Sequence, residues 1–389
     1  MRYLVFTFLL ALPVSAAEPP LVEKYLHSGQ LAIGEQVLER ELKKNPKDDQ
    51  LRFGLGVLRL ALGVERMSQT MYEYGAKADL LFIRIHSRDN PEPNVITYAK
   101  MRSLLDDARR GLIGVDATLA GITDDNVKLP LRLAKIKLDL DGDGKATDDF
   151  STILVKFLGG RAEFLTKNPE FLVHFDRGDV AWLRSYCHVA AGAIDFLLSL
   201  DLKDEFELNE WGPFPNVRPK FAGTEEERKE KLQKARQTLR IAEPARLTRV
   251  REHFVQVAKL NRETWRYIRA ETDNDHEWLP NPKQTSVIGL PVNAAMVDGW
   301  LEAMAEFEAI LEGKKLLPIG ILFPTDGKSL NLKTVLDDPP ASLDIAKLQM
   351  KGVDAKYLEK GVDADLNKLI AAARLFDGGT MGMYMAYFN

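Results

Sequence analysis

Apolar residues recur every three or four positions along most of the chain, which is the spacing of helices that bury one face. The regularity is clearest after Thr97, a suitable N-cap, and again after Pro244 and Asn293. Thr224 and Glu227 have the spacing of a capping box at the start of another helix. The pattern predicts a mainly α-helical protein, organised as a multi-helix bundle.

The segment 179–200 is the most apolar of these predicted helices. Arg184, His188 and Asp195 interrupt it and lie within about 40° of one another around the helix axis. Charges at the centre of a bilayer are costly, so the segment is interpreted as the centre of a bundle and not as a membrane span. The polar stripe has two interpretations. It either lines a pocket, with His188 transferring a proton and Arg184 binding an anion, or it pairs with facing helices. Pairing is favoured, because buried polar groups usually have partners.

The first part of the chain, 18–126, has glycines and large apolar residues at repeat-like intervals. The positions concerned are Tyr25, Gly29, Gly34, Leu38, Leu42 and Pro46. This spacing resembles that of a tetratricopeptide repeat, which implies paired helices with a small residue where they cross. A shift by one repeat length, about 34 residues, puts Leu55, Gly56, Gly63 and Tyr72 on matching positions and suggests a second, degenerate copy. The alternative is a plain helical hairpin without a groove.

The last part, 314–389, differs from the central bundle, 127–313, in its pattern of apolar residues. Short apolar runs at 319–323 and 330–336 flank Asp326 and Gly327, which predicts a β-hairpin. A helix over 364–376 and a strand over 381–388 complete a small α+β segment.

Composition limits the classes of function. The chain has 389 residues and a formal net charge of −4, which gives no case for nucleic-acid binding. Its single cysteine, Cys187, excludes an intrachain disulfide and, on an apolar helix, is expected to be inert. Residues 1–17 have the basic start, apolar stretch and small-residue end of a signal peptide. We therefore expect a periplasmic or extracellular protein without a transmembrane segment in its mature chain.

The strongest chemical signal is the segment 139–150, where acidic residues alternate with other residues before a glycine. The oxygen donors that it offers are Asp139, Asp141, Asp143, the carbonyl of Lys145, Thr147 and Asp148. Calcium takes six to eight oxygens at roughly 2.3–2.6 Å, so a tight loop must direct several oxygens at one point. Gly144 suits the sharp turn that such a loop needs, because glycine tolerates positive φ.

This pattern resembles an EF-hand loop over its first half, and it is also similar to the shorter Excalibur-type loops of bacterial extracellular proteins. The resemblance implies calcium as the cofactor. It fails at the twelfth position, where Phe150 replaces the bidentate glutamate, and Asp148 is the candidate closing ligand. A helix over 129–140 is expected to enter the loop, although Ile136, Leu138 and Leu140 also alternate as a strand would. A second helix should leave the loop and end at 159–160. The alternative is an acidic surface turn that binds nothing.

A second acidic cluster, 271–277, lacks the alternating acids and the turn glycine of the first. It is interpreted as a solvated helix end, with a metal or substrate site as the alternative. Phosphate-binding glycine loops, nucleophile elbows and zinc-helix motifs are absent from the sequence. The sequence therefore favours an exported protein with structural calcium that binds an unidentified envelope or protein partner. The alternative is an envelope hydrolase that uses Arg184, His188 and Asp195. A calcium sensor is disfavoured, because sensors generally pair two loops.

Overall fold

The computed structural model describes residues 18–76, 89–158, 163–208, 214–218, 221–287, 289 and 292–375. The predicted signal peptide 1–17, the helix end at 159–160 and the strand 381–388 lie outside these residues.

The described chain is mainly helical. Its helices are α1 (Leu21–Ser28), α2 (Leu31–Lys44), α3 (Asp49–Glu73), α4 (Tyr98–Ala120), α5 (Phe150–Leu158), α6 (Glu163–Lys167), α7 (Arg177–Ser199), α8 (Lys203–Glu207), α9 (Glu225–Gln237), α10 (Ala245–Ala270), α11 (Ala294–Leu311), α12 (Leu332–Asp337), α13 (Ile345–Lys351) and α14 (Leu366–Leu375).

Short strands form two-stranded sheets between these helices. The strands are β1 (Ile96–Thr97), β2 (Leu129–Leu131), β3 (Lys137–Leu138), β4 (Asp148–Asp149), β5 (Val173–Phe175), β6 (Val217–Arg218), β7 (Thr238–Arg240), β8 (Ser329–Leu330), β9 (Ser342–Asp344) and β10 (Leu358–Glu359). The pair β1–β6 is parallel, whereas β2–β5, β3–β4, β7–β9 and β8–β10 are antiparallel. The predicted multi-helix bundle is confirmed, with small sheet segments.

The long helices begin where the sequence supplies a cap. The Thr97 hydroxyl accepts a hydrogen bond from the Lys100 amide at 3.2 Å, at the start of α4. Asp176 and Asp179 form a capping box at the start of α7, and Thr224 and Glu227 form one at the start of α9. Such caps satisfy amide groups that have no partner within the helix.

The long helices pack in a continuous series. Helix α3 packs on α4, α4 on α7, α7 on α10, α10 on α11, and α11 on α14. One buried hydrophobic cluster extends through the series, from Leu26 through Val180 and Trp265 to Ala372. The regions 18–126, 127–313 and 314–389 therefore contribute to the same core. Within the described chain, no helix is both long and apolar enough to cross a bilayer.

The element that enters the acidic loop is not the predicted helix. Leu129–Leu131 forms β2, a 3₁₀ turn follows at Leu133–Lys135, and Lys137–Leu138 forms β3. Pro130 pairs with His174 in the β2–β5 sheet, where its missing N–H is tolerated more readily than inside a helix. The buried Ile136, Leu138 and Leu140 follow the alternation of a strand. The leaving helix was predicted correctly and is α5.

The hairpin predicted in the last part is only partly right: the chain turns at 326–327, and Leu317 and Leu330 form one antiparallel bridge across that turn, but the predicted strands do not form. Residues 320–322 form a turn, and most of 330–336 belongs to α12, because the Asn331 side chain accepts a hydrogen bond from the Thr334 amide and caps that helix. Strand β8 pairs with β10 instead. The predicted helix over 364–376 corresponds to α14.

In the repeat-like first part, Gly34 lies at a helix crossing, where a Cβ atom would come within 2.6 Å of the Tyr25 Cβ atom. Helix α2 ends before Pro46. Helix α3 runs through Gly56 and Gly63 without a break, and the resemblance to a tetratricopeptide repeat stays a prediction.

Candidate metal centre

The acidic loop brings its first three carboxylates together. One carboxylate oxygen from each of Asp139, Asp141 and Asp143 lies within 4.8 Å of the others. Oxygens on opposite sides of a calcium ion are about 5 Å apart, so this spacing fits one ion. The donor set, three carboxylates from one turn, also fits a hard cation.

The loop's backbone holds Asp139 in place. Its Oδ1 atom accepts a hydrogen bond from the Gly142 amide at 2.8 Å, and its Oδ2 atom accepts one from the Gly144 amide at 3.0 Å. Gly142 and Gly144 have φ values of 75° and 81°, a region that glycine occupies without steric cost. Each carboxylate oxygen has a second lone pair, so these bonds leave Asp139 able to bind an ion.

Helices α1 and α3 fix the loop from outside. The buried Glu65 carboxylate accepts a hydrogen bond from the Asp139 amide at 2.8 Å, and the Gln69 side chain donates to the Asp139 carbonyl at 2.8 Å. Gly29, at the end of α1, packs so closely on Ala146 that a Cβ atom there would lie 2.0 Å from the Ala146 Cβ. Burial raises the pKa of Glu65, and the nearby charge of Asp139 raises it further.

The second half of the loop matches the expected ligand set less closely. The Lys145 carbonyl accepts a hydrogen bond from the Thr147 amide at 2.8 Å. The Asp148 side chain accepts one from the Leu140 amide at 3.3 Å, while its backbone pairs with Leu138 in the β3–β4 sheet. Phe150 packs against the core and has no oxygen to offer. The loop therefore closes through its own short sheet, and the roles of Lys145, Thr147 and Asp148 as ligands stay predictions.

A polar cavity of about 500 Å³ adjoins this loop. The second half of α3 forms one wall, the segment 90–94 forms another, and Asp141 and Gly142 complete the lining. The lining includes the charged residues Arg66, Glu73 and Glu92. The cavity suits a polar molecule more than an apolar one.

The polar stripe of α7 is paired with facing helices. The Arg184 Nε atom donates to Asp116 on α4 at 2.8 Å, and the His188 Nε2 atom lies 3.5 Å from the same carboxylate. Burial acts to raise the pKa of Asp116, but hydrogen bonds from His188 and Arg184 outweigh it and lower the pKa. The His188 Nδ1 atom also lies 2.8 Å from the Nδ1 atom of His253 on α10, so one ring donates and the other accepts.

Asp195 is fully buried and has guanidinium partners on two helices. The Arg246 Nη1 atom lies 2.7 Å from its Oδ1 atom, Arg249 donates at 3.3 Å, and the Arg109 Nε atom lies at 3.7 Å. The His253 Nε2 atom lies 3.5 Å from its Oδ2 atom. Burial acts to raise the pKa of Asp195, but the hydrogen bonds from His253, Arg249 and Arg246 outweigh it and lower the pKa to about 2.

Arg184, His188 and Asp195 thus belong to a packed polar network between α4, α7 and α10. The described contacts of these three side chains are with α4 and α10 and not with the acidic segment 271–277. Asp273, for example, pairs with Lys128. Cys187 is buried, and burial raises the pKa of its thiol to about 12, as expected of an inert core cysteine.

The start of α7 carries the second set of converging acids. Carboxylate oxygens of Asp176, Glu271 and Glu277 lie within 4.8 Å of one another, brought together where Glu277 bridges to His174 of β5. Burial, followed by the charge of Asp176, raises the pKa of Glu271 to about 9. Burial also raises the pKa of Glu277. His174, Asp275 and His276 form a neighbouring group of possible ligands, in which His174 Nδ1 lies 3.1 Å from a carboxylate oxygen of Asp275.

The sequence analysis missed two parts of this arrangement. Arg246, Arg249 and His253 share one face of α10 at a spacing of three and four residues, but α10 carries so many other charged residues that this spacing does not single them out. Asp176 is the N-cap of α7. No local pattern connects it with Glu271 and Glu277, because the contact depends on the tertiary fold.

Comparison of the chain with protein-family models, with curated proteins and with solved structures finds no significant match. The function must therefore be argued from the sites themselves.

Proposed function

We propose that this protein binds calcium in the loop 139–150 and that the ion is structural. The observation that carries the proposal is the convergence of Asp139, Asp141 and Asp143 around one point, on a turn that Gly142 and Gly144 allow. Without a cation, three like charges at this spacing repel one another. A bound ion would remove that repulsion.

The position of the loop supports a structural role. Gln69 and Glu65 connect the loop to α3, Gly29 packs against it from α1, and α5 begins at its last residue. An ion in the loop would therefore stabilise the contact between three helices. The predicted export from the cytoplasm agrees with this proposal, because extracellular calcium fills sites of low affinity.

The adjoining cavity supports a binding or scaffold role. Asp141 and Gly142 are shared by the loop and the cavity wall, so the ion would order a surface that a polar partner can occupy. This role is favoured over the alternative hydrolase, because Arg184, His188 and Asp195 already pair with protein groups in the interior.

Thermal melting with saturating calcium and with chelator tests the proposal. A ligand at 100 times its Kd adds about 2.7 kcal/mol to the free energy of unfolding, so the melting temperature of a chain of this length should rise by about 3 °C. Asp141→Ala should remove the part of this rise that the loop contributes. Asp107→Ala, which removes an exposed carboxylate on α4, is the matched control and should retain it.

Hydrogen exchange of 66–73 and 90–94 provides a second measurement in the same experiment. We expect calcium to slow it in the wild type and not in Asp141→Ala. Equal melting temperatures with calcium and chelator would refute the structural ion. Slower exchange that persists in Asp141→Ala would mean that the ion binds elsewhere.

A further inference from the structure

A second group of acids, at the junction of β5, α7 and the segment 271–277, has the construction of a separate cation site. It comprises Asp176, Asp179, Glu271 and Glu277, and we call it the α7 acid group. We infer that the α7 acid group is a second binding site for a hard divalent cation, independent of the loop 139–150.

The first argument is an unsatisfied oxygen. Asp179 is only 3% exposed, and its Oδ1 atom is buried without a hydrogen-bond donor. Its Oδ2 atom accepts from the Asp176 amide at 2.9 Å, so the side chain is fixed beside the group. A buried carboxylate oxygen without a partner costs free energy, which a cation among these acids would recover.

The second argument is the way in which the carboxylates are held. Each has one oxygen that accepts a hydrogen bond from an amide. Asp176 Oδ1 accepts from the Gly178 amide at 2.7 Å, and Glu277 Oε1 accepts from the Asp275 amide at 3.0 Å. Glu271 Oε2 accepts from the Gln284 side chain at 3.2 Å. Hydrogen bonds of this kind orient metal ligands. Glu271 and Asp176 are also hydrogen-bonded to each other, and a cation between them would take the place of that bond.

The third argument is charge. The groups that act most strongly on Glu271 are its acidic neighbours Asp176 and Glu277 and the amide of Gln284. Arg177, the next residue after Asp176, is directed instead to Glu263 at 3.3 Å and to the ring of Tyr267. Lys128 lowers the pKa of Glu277 only slightly, because it pairs with Asp273.

The donor chemistry defines the class of ion. Three converging carboxylates, of Asp176, Glu271 and Glu277, with Asp179 beside them and no sulfur or nitrogen donor, suit calcium, magnesium or manganese. The neighbouring histidines His174 and His276 belong to a different group, in which His174 faces Asp275.

Calcium titration by calorimetry tests the inference in the Asp141→Ala background, where the loop site is disabled. We expect one remaining site, and Glu271→Gln should weaken it at least tenfold. Asp273→Asn, an acid of the same segment outside the group, is the matched control and should change the affinity less than twofold. Gln keeps the size of the Glu271 side chain and an oxygen that can accept from Gln284, so melting in chelator should change by less than about 2 °C.

Terbium luminescence provides a local signal, since Trp278 follows Glu277 directly in the chain. Excitation of tryptophan should give terbium emission in Asp141→Ala that Glu271→Gln removes. If Asp141→Ala eliminates all calcium and terbium binding, or if Glu271→Gln leaves both unchanged, the inference is wrong. Loss of one of two wild-type sites in each single variant would support both this site and the loop site. One wild-type site that only Glu271→Gln removes would contradict the loop and support the α7 acid group.

Discussion

The two ends of α7 carry buried carboxylates in opposite electrostatic surroundings. Near its end, Asp195 meets the guanidinium groups of Arg246, Arg249 and Arg109, and its pKa falls to about 2. At its beginning, the α7 acid group gathers four carboxylates, and the pKa of Glu271 rises to about 9. Burial acts in the same direction at both ends, so the partners decide the outcome.

The comparison shows two ways in which the negative charge of buried carboxylates can be neutralised, by groups of the protein itself or by an added ion. At Asp195 the fold supplies the positive charge itself, from α4 and α10. At the α7 acid group it supplies amide donors and further acids. A carboxylate cluster that is oriented but not neutralised is therefore the better candidate for a metal site, whereas the paired network is structural.

The largest expected effect is at the paired end. Asp195→Ala should lower the free energy of unfolding by about 3–5 kcal/mol, because it leaves several buried guanidinium groups without their shared partner. Urea denaturation measures this change. Asp107→Ala removes an exposed acid that pairs with Arg110 and should change stability by less than about 0.5 kcal/mol. An equally small effect at Asp195 would show that the network contributes nothing.

The pH dependence of stability should report the lowered pKa of Asp195. Because the pKa of Asp195 is lower in the folded than in the unfolded state, its contribution is fully present above about pH 4 and is lost as the pH falls towards 2. That contribution is about 2 kcal/mol. Urea midpoints measured across this range should therefore fall less steeply in Asp195→Asn than in the wild type. Parallel curves would contradict the lowered pKa, since Arg246, Arg249, Arg109 and His253 are unchanged in the variant.

The smallest expected effect comes from replacing aspartate by asparagine at the beginning of α7, and the same replacement near its end is the comparison. In chelator, Asp176→Asn should leave stability unchanged or raise it by up to about 1 kcal/mol, because asparagine caps a helix as well as aspartate does and repulsion with Glu271 disappears. Asp195→Asn should lower stability under the same conditions. Urea denaturation of the two variants gives the signs, and a matching loss in both would remove the distinction between the two ends.

Local patterns predicted much of the fold. The starts of α4, α9 and α11 follow from Thr97, from Thr224 with Glu227, and from Asn293, and the segment predicted as a helix at 179–200 is α7, Arg177–Ser199. Prediction failed at short apolar segments, where periodicity does not separate strand from helix. The chain around Pro130 is a strand because β5 is there to pair with it, and the segment after Asn331 is a helix because that residue caps it.

The candidate sites divide in the same way. The sequence by itself determined the loop 139–150, because all its donors and its glycine turn lie within one short segment, and local geometry brings Asp139, Asp141 and Asp143 together. Only the tertiary structure decided which partners the other acids contact. Asp195 gained its arginines, and Asp176 gained Glu271 and Glu277, from residues distant in the chain, because helix packing and not sequence spacing sets which charges meet in the interior.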